Sequence, residues 1–252
     1  EQGLQQHPGY PGMAHLYIHT MEASPTPEKA LPIADELRYA MPGIGHLVHM
    51  PTHIDIWLGD YEQVVDSNLE AIDADTAFVE REGPYNFYSL YRIHNYHFVV
   101  YGAMFDGQSE LALQTARELN QQIPEDMLRA KTDFLDAFMP TAIHVLVRFG
   151  EWDKILSEPE PAEYLPMSRS IWRYARALAY AATDRIDEAE IEQEEFLEER
   201  DRVPETSFLF QNPSLNILGV AEEMIAGEIA YRRGEFDEAF KHLREAVRLD
   251  DG

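Results

Sequence analysis

Histidine is scarce in this chain, ten residues in 252, yet seven of the ten fall in three short stretches. "HLYIHTME" carries His15 and His19 with Glu22, "HLVHMPTHI" carries His46, His49 and His53, and "HNYHF" carries His94 and His97. On a helix turning about 100° per residue, His46, His49 and His53 lie within roughly 60° of one another, as do His15, His19 and Glu22. Imidazoles three or four residues apart can reach one cation, and neutral imidazole is a common ligand for zinc, copper and iron. The cofactor this pattern suits is therefore a divalent transition metal: Zn, Cu or Fe.

Glu22 shares the histidine face, where it could be a ligand, a partner that orients a ligand, or a general base beside metal-bound water. The chain has no cysteine, which removes thiolate sites, while Met21, Met50 and Met104 near the clusters keep copper among the candidates. Tyr91 precedes His94 by three residues and Tyr101 follows His97 by four, so both belong on the histidine face, as core packing or, if a ligand is bound there, as contacts to it. Tyr96 and Phe98 are expected to face elsewhere. Spacing alone leaves three uses open for such a face: a metal site, a groove for a small non-metal ligand, or a packed polar network. There is no HExxH segment, no Ser–His–Asp order and no phosphate-binding glycine loop, so neither a zinc-protease site nor a nucleotide cofactor is expected.

The elements that must position these residues read as helices throughout. Apolar residues recur at spacings of three and four, broken by Gly, Pro and Asp, and nothing reads as alternating strands. The clearest unit is "EEMIAGEIAYRRGEFDEAFKHLREAVRLDD", with Gly234 marking a helix end and Phe236, Ala239, Phe240, Leu243, Ala246 and Val247 forming the inner stripe of a second helix. Other segments place a turn at Gly59, Gly107, Gly150 and Asp184, and Thr26–Pro27 form a candidate helix start. Longer connections are expected at "EREGPYNFYS", "SEPEPAEYLP" and "PETSFLFQNPS".

Composition bounds the partners. The formal charge is −26, from 46 acidic against 20 basic residues, a field that repels nucleic acid and anionic lipid and favours cations or basic partners. No apolar run approaches the roughly 18 residues needed to span a bilayer. A soluble protein, cytoplasmic or periplasmic, with no membrane insertion is expected. The opening "EQGLQQHPG" lacks a signal-peptide pattern and reads as the tail of a preceding helix, so the chain is expected to be the C-terminal part of a longer one.

Gly227, Gly234, Phe236, Ala239 and Ala246 resemble the tetratricopeptide repeat, a helical hairpin of about 34 residues. Asp251 stands where that family often has proline. In the same frame, repeats start near 11, 45, 93, 136, 170 and 220. The resemblance implies an all-α fold over residues 1–252, a right-handed α-solenoid of about six hairpins with a concave groove. It also implies that the first helix of each hairpin lines the groove, which brings His15, His19, Glu22, His46, His49, His53, His94, His97 and His144 onto one surface. The segments "HPGYPGMAHLYIHTMEAS", "GHLVHMPTHI" and "YRIHNYHF" further resemble a group of bacterial tetratricopeptide-repeat proteins with no established activity. The function expected is a repeat scaffold whose histidine-lined groove binds a transition metal or small ligand, with Glu22 as base if it is a metalloenzyme. The alternative is an interaction module that takes a peptide or protein in the groove without metal.

Overall fold

The computed structural model describes residues 2–83 and 88–251. Among the described residues the protein is all-α apart from one two-residue strand pair, and it divides into two compact units, Glu1–Gln122 and Ile123–Gly252. Among the described residues, no helix is long and apolar enough to cross a membrane.

The first unit contains α1 (Gln2–Gln6), α2 (Pro11–Glu22), a short 3-10 turn (Pro27–Ala30), α3 (Leu31–Arg38), α4 (Gly45–His49), α5 (Thr52–Leu58), α6 (Tyr61–Glu82), α7 (Tyr88–Asp106) and α8 (Ser109–Gln121). Its α2 is two-faced. Ala14 and Ile18 enter a core with Ala30, Ala34, Leu37, Met50 and Ile54, whereas His15, His19 and Glu22 occupy the other side. Complete burial of Ile18 and Ile54 contributes about 1.5–3 kcal/mol each. That core also takes Met50 and the flank of Met21, so these thioethers serve packing on the side away from the histidines.

Proline 51 divides α4 from α5. It has no N–H to continue the ladder, and the Ile54 and Asp55 amides bond back to its carbonyl instead. The His49 carbonyl is satisfied by the Thr52 hydroxyl at 2.7 Å. Both residues at the break keep helical dihedrals, so His49 and His53 stay one turn apart across it. At the end of α5, Gly59 adopts φ 78°, a left-handed conformation that costs glycine little and lets the chain reverse into α6. Gly45 has a different reason to be glycine: a Cβ there would stand 2.1 Å from Asp75 Oδ1 and 2.5 Å from the Ala71 carbonyl oxygen. The start of α4 thus lies directly on α6.

A buried ion pair fixes the register of these helices. Arg38 on α3 donates from both guanidinium ends to Asp55 on α5, at 2.9 and 3.0 Å, and to Ser67 Oγ on α6 at 2.9 Å. Removing one partner of such a pair leaves a buried charge and costs about 3–5 kcal/mol. The connection expected at "EREGPYNFYS" is shorter than read, because α6 runs to Glu82 and α7 begins at Tyr88; residues 84–87 lie outside the described residues. Thr26 precedes Pro27 at a helix start as expected, but its side chain makes no capping bond.

The second unit contains α9 (Glu125–Ala130), α10 (Thr132–Leu135), a 3-10 turn (Asp136–Phe138), α11 (Thr141–Arg148), α12 (Trp152–Ser157), α13 (Pro166–Ala182), α14 (Ile186–Arg200), α15 (Ser214–Arg232) and α16 (Phe236–Asp250). Asp136 caps α13 from outside the helix, accepting from the Met167 and Ser168 amides at 2.8 and 3.1 Å. Arg169, Arg173 and Arg176 run along α13 and pair with Glu199 and Glu192 of α14 at 2.7–3.0 Å. The strand pair, Phe208–Leu209 with Asn212–Pro213, is antiparallel and falls inside the expected connection "PETSFLFQNPS". Phe210, at φ 52°, closes it.

Candidate metal centre

Four helices of the first unit meet at the histidines. His15 and His19 come from α2, His46 and His49 from α4, His53 from α5 and His94 from α7. With Glu22 they form three overlapping groups whose ligand atoms lie within 4.8 Å of one another: His15–His19–His46, His49–His53–His94 and His19–Glu22–His53. Six of the eight histidines the sequence nominates are therefore brought together. His97 faces His94 closely enough to influence its charge but lies outside the three groups. His144 belongs to α11 in the second unit and to none of the groups found among the described residues.

Hydrogen bonds assign the protons. Glu22 accepts from His19 Nδ1 at 2.6 Å and from His53 Nδ1 at 2.5 Å, one carboxylate oxygen to each. Burial alone would raise this carboxyl, but the two imidazole bonds outweigh it and hold it at about 2. A carboxylate that acidic, with both oxygens engaged, suits positioning better than the general-base role that its place in the sequence suggests. Asn68 on α6 donates its amide to the Val64 carbonyl at 2.7 Å and to Thr52 Oγ1 at 3.1 Å, which turns its oxygen toward His49 Nδ1 at 2.7 Å. His49 Nδ1 must then carry a proton, and so must Nδ1 of His19 and His53. In His49, whose imidazole burial holds well below the ordinary histidine range, this leaves Nε2 as a lone pair.

Two pairs of Nε2 atoms face one another. His49 Nε2 and His53 Nε2 are 2.9 Å apart, and His46 Nε2 and His15 Nε2 are 3.2 Å apart. Burial pushes the His46 imidazole down to about 4, with His15, His19 and His53 adding to the shift, and pushes His49 and His94 well below the ordinary histidine range. His15 is lowered for the same reasons, burial first and then His19 and His53. Ring nitrogens this close need a proton or a cation between them, and burial disfavours a charged ring.

Tyr91 stands beside the cluster, its ring centroid 4.2 Å from that of His46. Tyr101 does not reach it by any ring contact; it packs on Phe105 at 4.8 Å, and Phe105 on Tyr61 at 5.1 Å. Phe98 corrects the sequence reading. Expected to face elsewhere, it packs against His49, His53 and His94 at 4.6–4.8 Å, because four residues after His94 it lies on the same face of α7. Asn68, Thr52 and Tyr88, whose hydroxyl accepts from the His46 amide at 3.1 Å, are further contributors that spacing did not single out. For Asn68 a signal was there: a polar residue among the apolar Val64, Val65, Ala71 and Ile72 of the buried face of α6. The chain matches no family model, no curated protein and no solved structure.

Proposed function

We propose that the first unit is a transition-metal site and that the hairpins within each unit are tetratricopeptide-type repeats stacked as a right-handed solenoid. The repeat reading is supported by the turn residues Gly59, Gly107, Gly150, Asp184 and Gly234, all of which have positive φ. It is also supported by Gly227, where a Cβ would meet Leu243 at 2.7 Å, so that only the smallest residue lets the last two helices pack so closely.

One observation carries the metal reading: imidazole Nε2 atoms face one another at 2.9 and 3.2 Å while Glu22 and Asn68 hold the Nδ1–H groups of three of the rings turned away. Metal-bound histidines ordinarily show this arrangement, donating the second ring nitrogen to a carboxylate or carbonyl. All-imidazole donors of borderline softness suit zinc, copper or iron. Three imidazoles per ion leave a coordination position open, as in catalytic rather than closed structural sites. The metal alone can be tested first, by elemental analysis of untagged protein after dialysis with and without chelator. Stoichiometric Zn, Cu or Fe, removed by chelator and restored on reloading, is the expected result. Protein that takes up no metal on reloading would overturn the reading and leave a peptide-binding groove as the function to pursue.

A further inference from the structure

Resting on that reading, we infer that the centre takes two metal ions, one in each histidine triad, together with a small anion of the hydroxide class. The two triads, His15–His19–His46 and His49–His53–His94, share no residue. A metal–imidazole bond is about 2.0–2.1 Å, so donors to one ion stand at most about 4.2 Å apart. Each triad, with ligand atoms within 4.8 Å, meets that limit after a small adjustment. The six rings come from four helices, α2, α4, α5 and α7, and their donor atoms gather into these two separate sets of three.

Glu22 couples the two sets. Its oxygens grip His19, from one triad, and His53, from the other, so a single carboxylate aims one ring of each. The rings of His19 and His53 are 5.0 Å apart, which places the triads side by side. Glu22 is also the one carboxylate in the three groups. Two dications among neutral imidazoles would keep excess positive charge that one carboxylate does not offset, and paired-ion sites relieve such repulsion with a shared anion. An exogenous anion is therefore part of the centre.

The competing arrangement is a single ion on His19, Glu22 and His53. Titrating metal-free protein with Zn²⁺ by calorimetry separates the two. Two equivalents in the wild type, falling to one in His15→Ala and to one in His94→Ala, is the expected outcome. A single equivalent retained by both variants would overturn the two-ion centre but leave the metal reading intact, and no binding by the wild type would remove both. Should either variant fail to fold, judged by circular dichroism, the wild-type count still decides. Azide added to the Cu²⁺-loaded protein is the probe for the anion, with a ligand-to-metal band saturating at one azide per two coppers. Two coppers bound without azide uptake would overturn the anion.

Discussion

His49 on α4 and His144 on α11 both lose hydration on folding, and burial moves both imidazoles to lower pKa, His144 to about 4. Around His144 that is the whole account, since burial is the only cause of its shift. Around His49, the charges of His94, His53 and His46 push the same way, and Asn68 fixes which nitrogen bears the proton. The C-terminal unit pairs polar groups with carboxylates: Arg173 and Arg176 with Glu192, and His242 with Glu223 at 2.6 Å. The histidine cluster of the N-terminal unit instead sets imidazole against imidazole, with Nε2 atoms 2.9 and 3.2 Å apart. Burial alone makes a neutral histidine, whereas burial among other histidines makes a set of donors.

The comparison breaks most sharply with paired substitutions. His49→Ala with His53→Ala removes two of three donors from one triad. It should weaken metal retention by more than the roughly 10–100-fold that loss of an outer hydrogen-bonding partner costs, with helical circular dichroism near wild type. His144→Ala should leave metal content unchanged, and equal losses in both proteins would abolish the distinction between the units. Asn68→Leu tests the orienting bond. It should weaken metal binding by roughly 10–100-fold and cost about 1–3 kcal/mol, because His49 Nδ1–H is left buried without an acceptor. Asn68→Asp, which retains an acceptor, should recover most of the metal affinity; if it does not, the bond is structural only.

Acid should act on both units to a smaller degree. Histidine in the unfolded chain titrates near 6.5, while His46 and His144 do so at about 4 when folded. The unfolded state therefore binds protons first. The melting temperature of metal-free protein should fall as pH drops from about 6.5 toward 4 and be nearly flat above it. Glu22, at about 2 folded against 4.5 unfolded, adds stability above pH 4.5 that is lost as pH falls toward 2. A melting temperature independent of pH from about 7 to 4.5 would contradict the buried neutral state of both imidazoles.

Much of this was legible in the residues, for definite reasons. The helical period placed His46, His49 and His53 on one face, and Pro51 did not disturb that face because the backbone stays helical through the break. The glycine turns were readable because a positive φ is a local demand. What could not be read was contact between helices. Asn68 enters the site only through the approach of α6, whereas Phe98, one turn after His94, was within reach of the helical period. Arg38 and Asp55, 17 residues apart, meet across a core whose geometry no local pattern encodes. The aromatic stripe was divided wrongly for the same reason: Tyr91 joins His46 but Tyr101 turns to Phe105.

The order of the candidate ligands along the chain has a consequence for biosynthesis. His15, His19, Glu22, His46, His49 and His53 all precede Asn68, and His94 comes last. At roughly 5–20 residues per second, the ribosome needs about 2–8 s to travel from residue 53 to residue 94. During that interval the first triad is complete while the second still lacks a member. An ion captured on the nascent chain would enter the α2–α4 set first, and α7 would arrive as the element that closes the other.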